Sequence, residues 1–456
     1  MESMKSELYY YDIYPKVFPV GRDVEITVKS LGAKFDFSGE YKIVVQRVAG
    51  GSTWQHSSAD NHTDIFCTAD ESAEIHFTYT AALEGEYRVR IYQGDNLVVQ
   101  LGVYAPDHDL ATRYPLRGDL HIHTYRSDGG EAPAFVCANY RKKGYDFIVV
   151  TDHHRYYPSL EAIDAFSGLE IPLCILPGEE VHLPSNDVHI VNAGGLFSVN
   201  GLLKESINYA DTNGDPEKRR FDKSVPLPDL ITNEQYYQEI AEIEKSLGEL
   251  PDGVDGKWYA SSVWAFDKIR EAGGLAIFAH PYWLVDMWHL QEPFTRYMMK
   301  NHPFDAFEVL GGENYYMQNG IQTALYYDEY REGRVHPIVG STDSHGCTEH
   351  NINSAICSTI VFAEKNERET ILQAIRDKYS IAVDTISAEY RLVGEYRLQK
   401  YACFLMENYF PIHDRQAALD GEMLIQYVGG NATKDEVEAV SARADKLLKK
   451  YILISD

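Results

Sequence analysis

Short, mainly apolar runs alternate with stretches of helical periodicity from residue 118 onward, and this alternation restricts the fold more than any other feature of the chain. The runs are Asp119–Ile122, Phe147–Val150, Leu173–Leu176, Val188–Val191, Leu275–Phe278, Ala306–Val309 and Pro337–Val339. Helical patterns lie between them, for example at Ala134–Lys143, Gln235–Leu247 and Val263–Ala272. Runs in strand-then-helix order are typical of a parallel sheet or barrel. The sequence therefore predicts an α/β domain in this part of the chain.

The first hundred residues have a different pattern, in which apolar and polar residues alternate strictly. Such segments are Val24–Val28, Tyr41–Val45, Ile75–Tyr79 and Tyr87–Tyr92. Strict alternation indicates strands with one buried and one wet face. Several short strands separated by glycine-containing breaks predict a small antiparallel sandwich, of immunoglobulin-like type.

A chain of 456 residues exceeds what one ordinary core supports, so we expect more than one domain. The patterns divide it into a β-sandwich at 1–105, a linker at 106–117 and an α/β domain at 118–365. Residues 200–256 form a long polar insertion in that domain, which we expect to contain a helix and to cover its functional face. Residues 366–456 are expected to be a mainly helical extension, with helices at Arg368–Tyr379 and Lys434–Tyr451.

The chain is strongly acidic, with a net charge of −27. A duplex nucleic-acid surface needs basic clusters, so that class of partner is not expected. No apolar run approaches the ~18 residues of a membrane span, and the first residues lack a secretory pattern. The 6 cysteines are scattered, as in a reduced cytoplasmic protein. We therefore expect a cytoplasmic protein without membrane partners; no pattern indicates its oligomeric state.

Residues of the types that commonly bind metals, His, Asp and Glu, follow most of the strand runs. His121 and His123 stand two apart, so on a strand both imidazoles face one point. The other groups are Asp128, Thr151-Asp152-His153-His154, Gly178-Glu179-Glu180, His189, Ala279-His280-Pro281 and Thr342-Asp343-Ser344-His345. The carboxyl ends of the strands form the active face of an α/β barrel. Each group alone is commonplace, but together they predict a metal centre.

These segments resemble the motifs of the PHP (polymerase and histidinol phosphatase) superfamily. The motifs are DLHxHTxxSDG at 119–129, TDH at 151–153, GxE at 178–180, VHIV at 188–191, AHP at 279–281 and TDSH at 342–345. They span about half of the chain. The preceding sandwich resembles a branch of the superfamily named for carbamate-ester hydrolysis.

The resemblance implies a distorted (β/α)7 barrel with a trinuclear metal centre. In the first site, His121, His123 and Asp343 hold one metal, and Glu180 bridges it to a second. His189 and His280 complete the second site. The third site consists of Asp128, His153 and His345.

Other residues of the motifs are expected to have supporting roles. Asp152 and His154 would orient ligands, or His154 would face the substrate. Arg155 and Arg126 could neutralise a phosphate or form surface ion pairs, and His182 could contact the substrate. The expected catalytic residues are Asp343, His345, Asp152, His154 and Arg155.

Mixed imidazole and carboxylate ligands suit Zn²⁺, Mn²⁺ or Fe²⁺, and we expect up to three such ions. A hydroxide that bridges two of them would be the nucleophile. The main hypothesis is hydrolysis of a small, anionic phosphomonoester or phosphodiester. The first alternative is a carboxylic or carbamate ester hydrolase, with Tyr156, Tyr157, Tyr282 and Trp283 forming an apolar pocket. The second alternative is a non-catalytic binding scaffold.

Overall fold

The structure is a computed structural model that describes residues 5–32, 37–50, 62–311, 316–348, 357–385 and 391–455. The chain divides into two compact units. Unit 1 contains Met1–Tyr114, Tyr396–Ala417 and Ser441–Asp456, and unit 2 contains Pro115–Glu395 and Ala418–Val440.

The strands of the described residues are β1 (Tyr11–Tyr14), β2 (Asp23–Ser30), β3 (Glu40–Arg47), β4 (His62–Thr68), β5 (Glu74–Thr80), β6 (Gly85–Gln93), β7 (Asn96–Ala105), β8 (Tyr114–Asp119), β9 (Phe147–Val149), β10 (Cys174–Leu176), β11 (Gly178–Val181), β12 (Ile190–Ala193), β13 (Leu275–Phe278), β14 (Leu284–Val285), β15 (Met287–Trp288), β16 (Ala306–Leu310), β17 (Ile338–Gly340), β18 (Cys357–Ala363), β19 (Ser380–Asp384) and β20 (Arg391–Val393). The α-helices are α1 (His108–Ala111), α2 (Pro133–Lys142), α3 (Tyr157–Ala165), α4 (Ile207–Thr212), α5 (Asn233–Ser246), α6 (Gly256–Glu271), α7 (Glu292–Asn301), α8 (Ile321–Arg331), α9 (Arg368–Arg376), α10 (Tyr396–Asn408), α11 (Phe410–Val428) and α12 (Lys434–Tyr451).

Unit 1 is built around two antiparallel sheets, in the orders β1-β2-β5 and β4-β3-β6-β7. Alternate residues of both sheets meet in one hydrophobic core, which includes Ile26 and Val28 from one sheet and Ile43 and Val89 from the other. This is the burial pattern that strict alternation predicts. Helix α10 packs on the second sheet through Tyr401, whose ring stacks on Tyr104 at 4.6 Å.

Unit 2 is mixed α/β, and its larger sheets have the orders β10-β9-β8-β18-β19-β20 and β11-β12-β13-β16-β17. The pairs β8–β9, β9–β10, β13–β16 and β16–β17 are parallel, as strand-then-helix order predicts. There are two isolated parallel bridges, Ile122–Ser344 and His153–Glu180; Ile122, Ser344 and His153 lie just beyond strand ends, and Glu180 lies within β11. Neither sheet closes on itself within the described part of the chain, so the fold class that the structure establishes is mixed α/β.

Several strands differ from the sequence prediction. β8 ends at Asp119, before His121, because the Asp119 carboxylate accepts hydrogen bonds from the His121 and Thr342 backbone N–H groups at 3.1 and 3.2 Å in place of a strand partner. Strands β18, β19 and β20 were not expected. Strands β18 and β19 are apolar and buried. β18 lies just before the segment that was expected to be mainly helical, and β19 and β20 lie within it. The expected linker, 106–117, contains α1 and part of β8.

The insertion at 200–256 contains two α-helices, α4 and α5. A capping box at Thr232 begins α5, since the Thr232 hydroxyl accepts from the Gln235 N–H while the Gln235 side chain accepts from the Thr232 N–H. None of the helices in the described residues is both long and apolar enough to span a bilayer.

Candidate metal centre

The first motif delivers two buried imidazoles to one point. His121 and His123 follow β8, and both side chains are completely buried. The His123 N–H donates to the Ser344 carbonyl at 2.9 Å, which ties this segment to the last motif. The His121 Nε2 and His123 Nε2 atoms lie 3.3 and 2.9 Å from Asp343 Oδ1. The structure therefore brings these three predicted ligands together.

Glu180 lies at the centre of the cluster. It is fully buried on β11, and neither carboxylate oxygen has a hydrogen-bond partner among the described residues. Five histidines nevertheless present a ring nitrogen within 3.5 Å of these oxygens: His121, His123, His153, His182 and His189. A buried carboxylate without hydrogen bonds is costly unless a cation neutralises it. This environment fits a bound metal ion.

The predicted second site consists of Glu180 with two histidines from neighbouring strands. His189 Nδ1 lies 2.9 Å from Glu180 Oε1 and 2.9 Å from His280 Nε2. Ligand atoms of these three residues lie within 4.8 Å of one another, a spacing that could hold an ion. Burial lowers the pKa of His189 to about 4, so its imidazole is neutral and able to donate a lone pair.

The predicted third site is more open to solvent. Asp128 lies 3.5 Å from His153 Nε2 and 3.3 Å from His345 Nε2. The other ring nitrogen of His345 donates to the Asp343 carbonyl at 2.9 Å, which directs Nε2 towards Asp128. His123 also lies close enough to share this site.

Two backbone positions near the cluster have left-handed conformations. Asp343 has φ of 48° and His154 has φ of 61°. Such values are uncommon outside glycine and concentrate at functional sites. The Asp343 N–H donates to the His121 carbonyl at 3.0 Å, so the turn is held against the first motif.

Asp152 does not face the cluster of ligand atoms. Its buried carboxylate accepts hydrogen bonds from the backbone N–H and the hydroxyl of both Thr124 and Ser127, at 2.6–2.9 Å. It therefore fixes the loop that carries Asp128. The orientation of ligands by Asp152 stays a prediction.

The charges of the cluster are interdependent. Burial alone would raise the pKa of Glu180, but the neighbouring histidines, His153 foremost, hold it well below its usual value. Burial likewise opposes the charge of His153, yet Glu180 and Asp128 raise its pKa to about 10. In the absence of a cation, protons on imidazoles therefore neutralise the carboxylates.

The rim residues have defined partners. The Arg155 Nε donates to Asp211 of α4 at 2.7 Å, and the Arg126 Nε donates to Glu161 at 2.8 Å. Both arginines thus form ion pairs, which was one of the two roles expected for them; the other was to neutralise a phosphate. His154 packs its ring against His182 at 4.4 Å.

Two contributors to the centre were missed by the sequence reasoning. Glu308 on β16 is fully buried and contacts two predicted ligands, His121 and His280. A glutamate inside an apolar strand run needs buried partners, and that signal could have identified it. Asn200, at the start of the insertion, donates to the Glu180 carbonyl and accepts from the His182 N–H, both at 3.0 Å.

The aromatic residues expected to form a pocket for an ester substrate differ in their surroundings. Tyr156 and Tyr282 are buried, and the Tyr156 hydroxyl donates to the Gly195 carbonyl. Trp283 remains at the cluster, with its ring 5.5 Å from that of His189.

No family model matches the chain, and a search of curated proteins finds no match. Among solved structures, it is similar to a two-domain protein from Bacteroides vulgatus containing a predicted PHP-like metal-dependent phosphoesterase. The identity is 17%, the match covers 61% of this chain and 66% of that one, and the TM-score is 0.38. This chain therefore covers just under two thirds of that protein.

Two further similar structures cover less of this chain. One is a candidate metal-dependent phosphoesterase from Bifidobacterium adolescentis, with 18% identity, coverage of 51% and 89%, and a TM-score of 0.32. The other is an amidohydrolase from Chromobacterium violaceum with bound sulfate and no metal, with 16% identity, coverage of 51% and 89%, and a TM-score of 0.30. PHP-like metal-dependent phosphoesterases are thus among the structural neighbours, as the motif resemblance indicates. Because these TM-scores are low, the function of this chain is inferred from its own residues.

Proposed function

We propose that this chain is a metal-dependent phosphoesterase that hydrolyses a small, anionic phosphomonoester or phosphodiester at a trinuclear centre. The observation that carries the proposal is Glu180, whose two buried oxygens lack hydrogen bonds although five histidines surround them. The chain would hold the ions through the nine ligands implied by the motif resemblance. We further propose that seven strands form a distorted barrel, since the bridges Ile122–Ser344 and His153–Glu180 link the ends of its two sheets.

Bound divalent ions would offset the charge of a phosphate ester and lower the pKa of a water molecule, which favours hydrolysis near neutral pH. The residues of the chain hold this arrangement rigid. Asp152 anchors the loop of Asp128, and Asn200 anchors the segment that contains Glu180 and His182. His154 and His182 are only partly buried beside the cluster, where they would contact the substrate.

A second candidate reaction, hydrolysis of a carboxylic or carbamate ester, uses the same ligands. It is favoured by the ion pairs of Arg126 and Arg155, because these leave less positive charge available for a phosphate. The ring of Trp283, close to His189, would contact an apolar ester group.

The test compares hydrolysis of an aryl phosphate, a bis-aryl phosphate and an aryl carbamate by protein loaded with Mn²⁺, Fe²⁺ or Zn²⁺. We expect phosphate ester turnover that Asp343→Ala reduces to background, while Asp252→Ala, which removes an exposed carboxylate, leaves it unchanged. The ratio of the two phosphate rates identifies the ester class. Carbamate turnover alone would reject the phosphoesterase in favour of the second reaction, and failure to bind metal would reject both.

A further inference from the structure

Glu308 is a completely buried carboxylate that touches two predicted ligands of different metal sites. Its Oε2 atom lies 3.0 Å from His121 Nδ1, and its Oε1 atom lies 2.8 Å from His280 Nδ1. His121 belongs to the first site and His280 to the second. We propose that Glu308 is a positioning residue that fixes the tautomer and the orientation of one imidazole in each of these two sites.

The inference follows from which nitrogen of each ring faces which carboxylate. An ionised carboxylate only accepts hydrogen bonds, so both Nδ1 atoms must carry the proton. In a neutral imidazole the Nε2 atom then keeps its lone pair. The His121 Nε2 atom lies 3.4 Å from Glu180 Oε2, and the His280 Nε2 atom lies 2.9 Å from His189 Nδ1. Glu308 therefore directs both lone pairs into the cluster.

The backbone around Glu308 is built to hold this position. The register of β16 against β17 shifts between Glu308 and Leu310, and a bulge of this kind re-aims a side chain. The Gln322 amide donates to the carbonyls of Glu308 and Val309, both at 3.2 Å. A Cβ atom at Gly311 would lie 1.9 Å from Glu308 Oε1, so the carboxylate can occupy its position only because residue 311 lacks a side chain.

The same positions allow a second interpretation, in which Glu308 binds a metal ion directly. Donor atoms of His121, His280 and Glu308 also lie within 4.8 Å of one another. That arrangement would need unprotonated Nδ1 atoms and therefore the opposite tautomer on both rings. The Nε2 atoms already face Glu180 and His189, which favours the positioning role.

The inference rests on the metal-binding part of the proposed function, but its first test needs neither metal nor activity. In metal-free protein labelled with ¹⁵N-histidine, at a pH high enough to leave both rings neutral, NMR should show the Nδ1–H tautomer for His121 and His280. Glu308→Gln supplies one acceptor oxygen and one N–H donor, so only one ring can keep that tautomer. Two Nε2–H tautomers in the native protein would overturn the proposal, whatever reaction the protein catalyses.

The second test measures Zn²⁺ affinity by calorimetry. Loss of an outer partner typically weakens a metal site by about 10- to 100-fold. We expect Glu308→Gln to weaken one of the first two sites by that factor and to leave the third unchanged. Glu329→Gln is the control, because Glu329 is a buried carboxylate on α8 that pairs with Arg334 and contacts none of the nine predicted ligands.

If Glu308→Gln does not fold, Glu308→Asp provides the test. This variant keeps the charge but is one methylene shorter, so it cannot reach both rings. It should therefore also weaken Zn²⁺ binding at one of the first two sites and not at the other. Unchanged affinity at all sites in a folded variant would refute the positioning role. If the native protein binds no Zn²⁺, the proposed function fails, while the tautomer result still decides the role of Glu308.

Discussion

The assignment of Glu180 to two metal sites predicts how metal binding should stabilise the protein. Glu180→Gln should remove the first and second sites together, because both use this carboxylate. Asp128→Asn should remove only the third, since Asp128 contacts only His153 and His345 among the predicted ligands. The two variants should therefore lose unequal parts of the stabilisation that metal gives the native protein.

The magnitudes follow from linkage. One site occupied at a free metal concentration of one hundred times its Kd stabilises the folded state by about 2.7 kcal/mol. Unit 2 has roughly 300 residues, and an unfolding entropy of about 2.1 cal/mol/K per residue gives about 0.6 kcal/mol/K. One site thus raises Tm by about 4 °C, and three raise it by about 13 °C. Glu180→Gln should keep about 4 °C of this shift and Asp128→Asn about 9 °C.

Differential scanning calorimetry with and without Mn²⁺ measures these shifts, each relative to the metal-free form of the same variant. Glu249→Gln, an exposed glutamate of the same unit, should retain the full shift. Equal residual shifts for Glu180→Gln and Asp128→Asn would refute the bridging role. A full shift in Glu180→Gln would show that the ions bind elsewhere.

Three further predictions concern buried charge and the rim. Burial lowers the pKa of Lys16 from 10.5 to about 8. Between pH 8 and 10.5 the unfolded chain binds more protons than the folded chain, so the free energy of unfolding should rise with pH through that window. Lys16→Met removes the buried charge and should raise the free energy of unfolding at pH 7 by about 3 kcal/mol, measured by urea titration. Arg141 is buried between Asp146 and Asp420, at 2.7 and 2.8 Å, so Arg141→Met should cost about 3–5 kcal/mol in the same assay. Arg155 pairs with the Asp211 carboxylate of α4 at 2.7 Å. If this ion pair only anchors the insertion, Arg155→Met should change the KM for an aryl phosphate less than about fivefold. That limit corresponds to the ~1 kcal/mol that a partly exposed ion pair contributes.

Much of the secondary structure could be predicted because it depends on local periodicity. The prediction for β13 coincides with the structure, and those for β9, β10, β16 and β17 agree to within one residue at each end. Strands β18 and β19 were missed although both are apolar and buried. They pair antiparallel with each other although α9 lies between them in the chain, an arrangement that the parallel strand-then-helix pattern does not predict.

The predicted ligands converge because most of them stand at or just beyond strand ends, where sequence position determines spatial position. Their partners do not follow such a rule. Asn200 and Asp211 come from the insertion, and Glu308 comes from the middle of a strand. Each contact joins residues far apart in the chain, and no local pattern records it. The sequence therefore predicted which side chains gather at the centre better than it predicted what orients them.

The two glutamates beside His121 show why residue type alone could not assign these roles. Glu180 and Glu308 are both completely buried, and each contacts this imidazole, but from opposite ring nitrogens. Glu308 is satisfied by two histidine N–H groups, whereas Glu180 has no hydrogen bond among the described residues. A buried carboxylate that lacks hydrogen bonds is retained only where a positive charge compensates it. The charges of Asp343, Glu308 and Glu180 overcome the effect of burial and raise the pKa of His121 well above its usual value, so a proton supplies that charge in the metal-free chain. A divalent ion held by these residues would supply the same charge, and it would leave His121 the proton on Nδ1 that Glu308 requires.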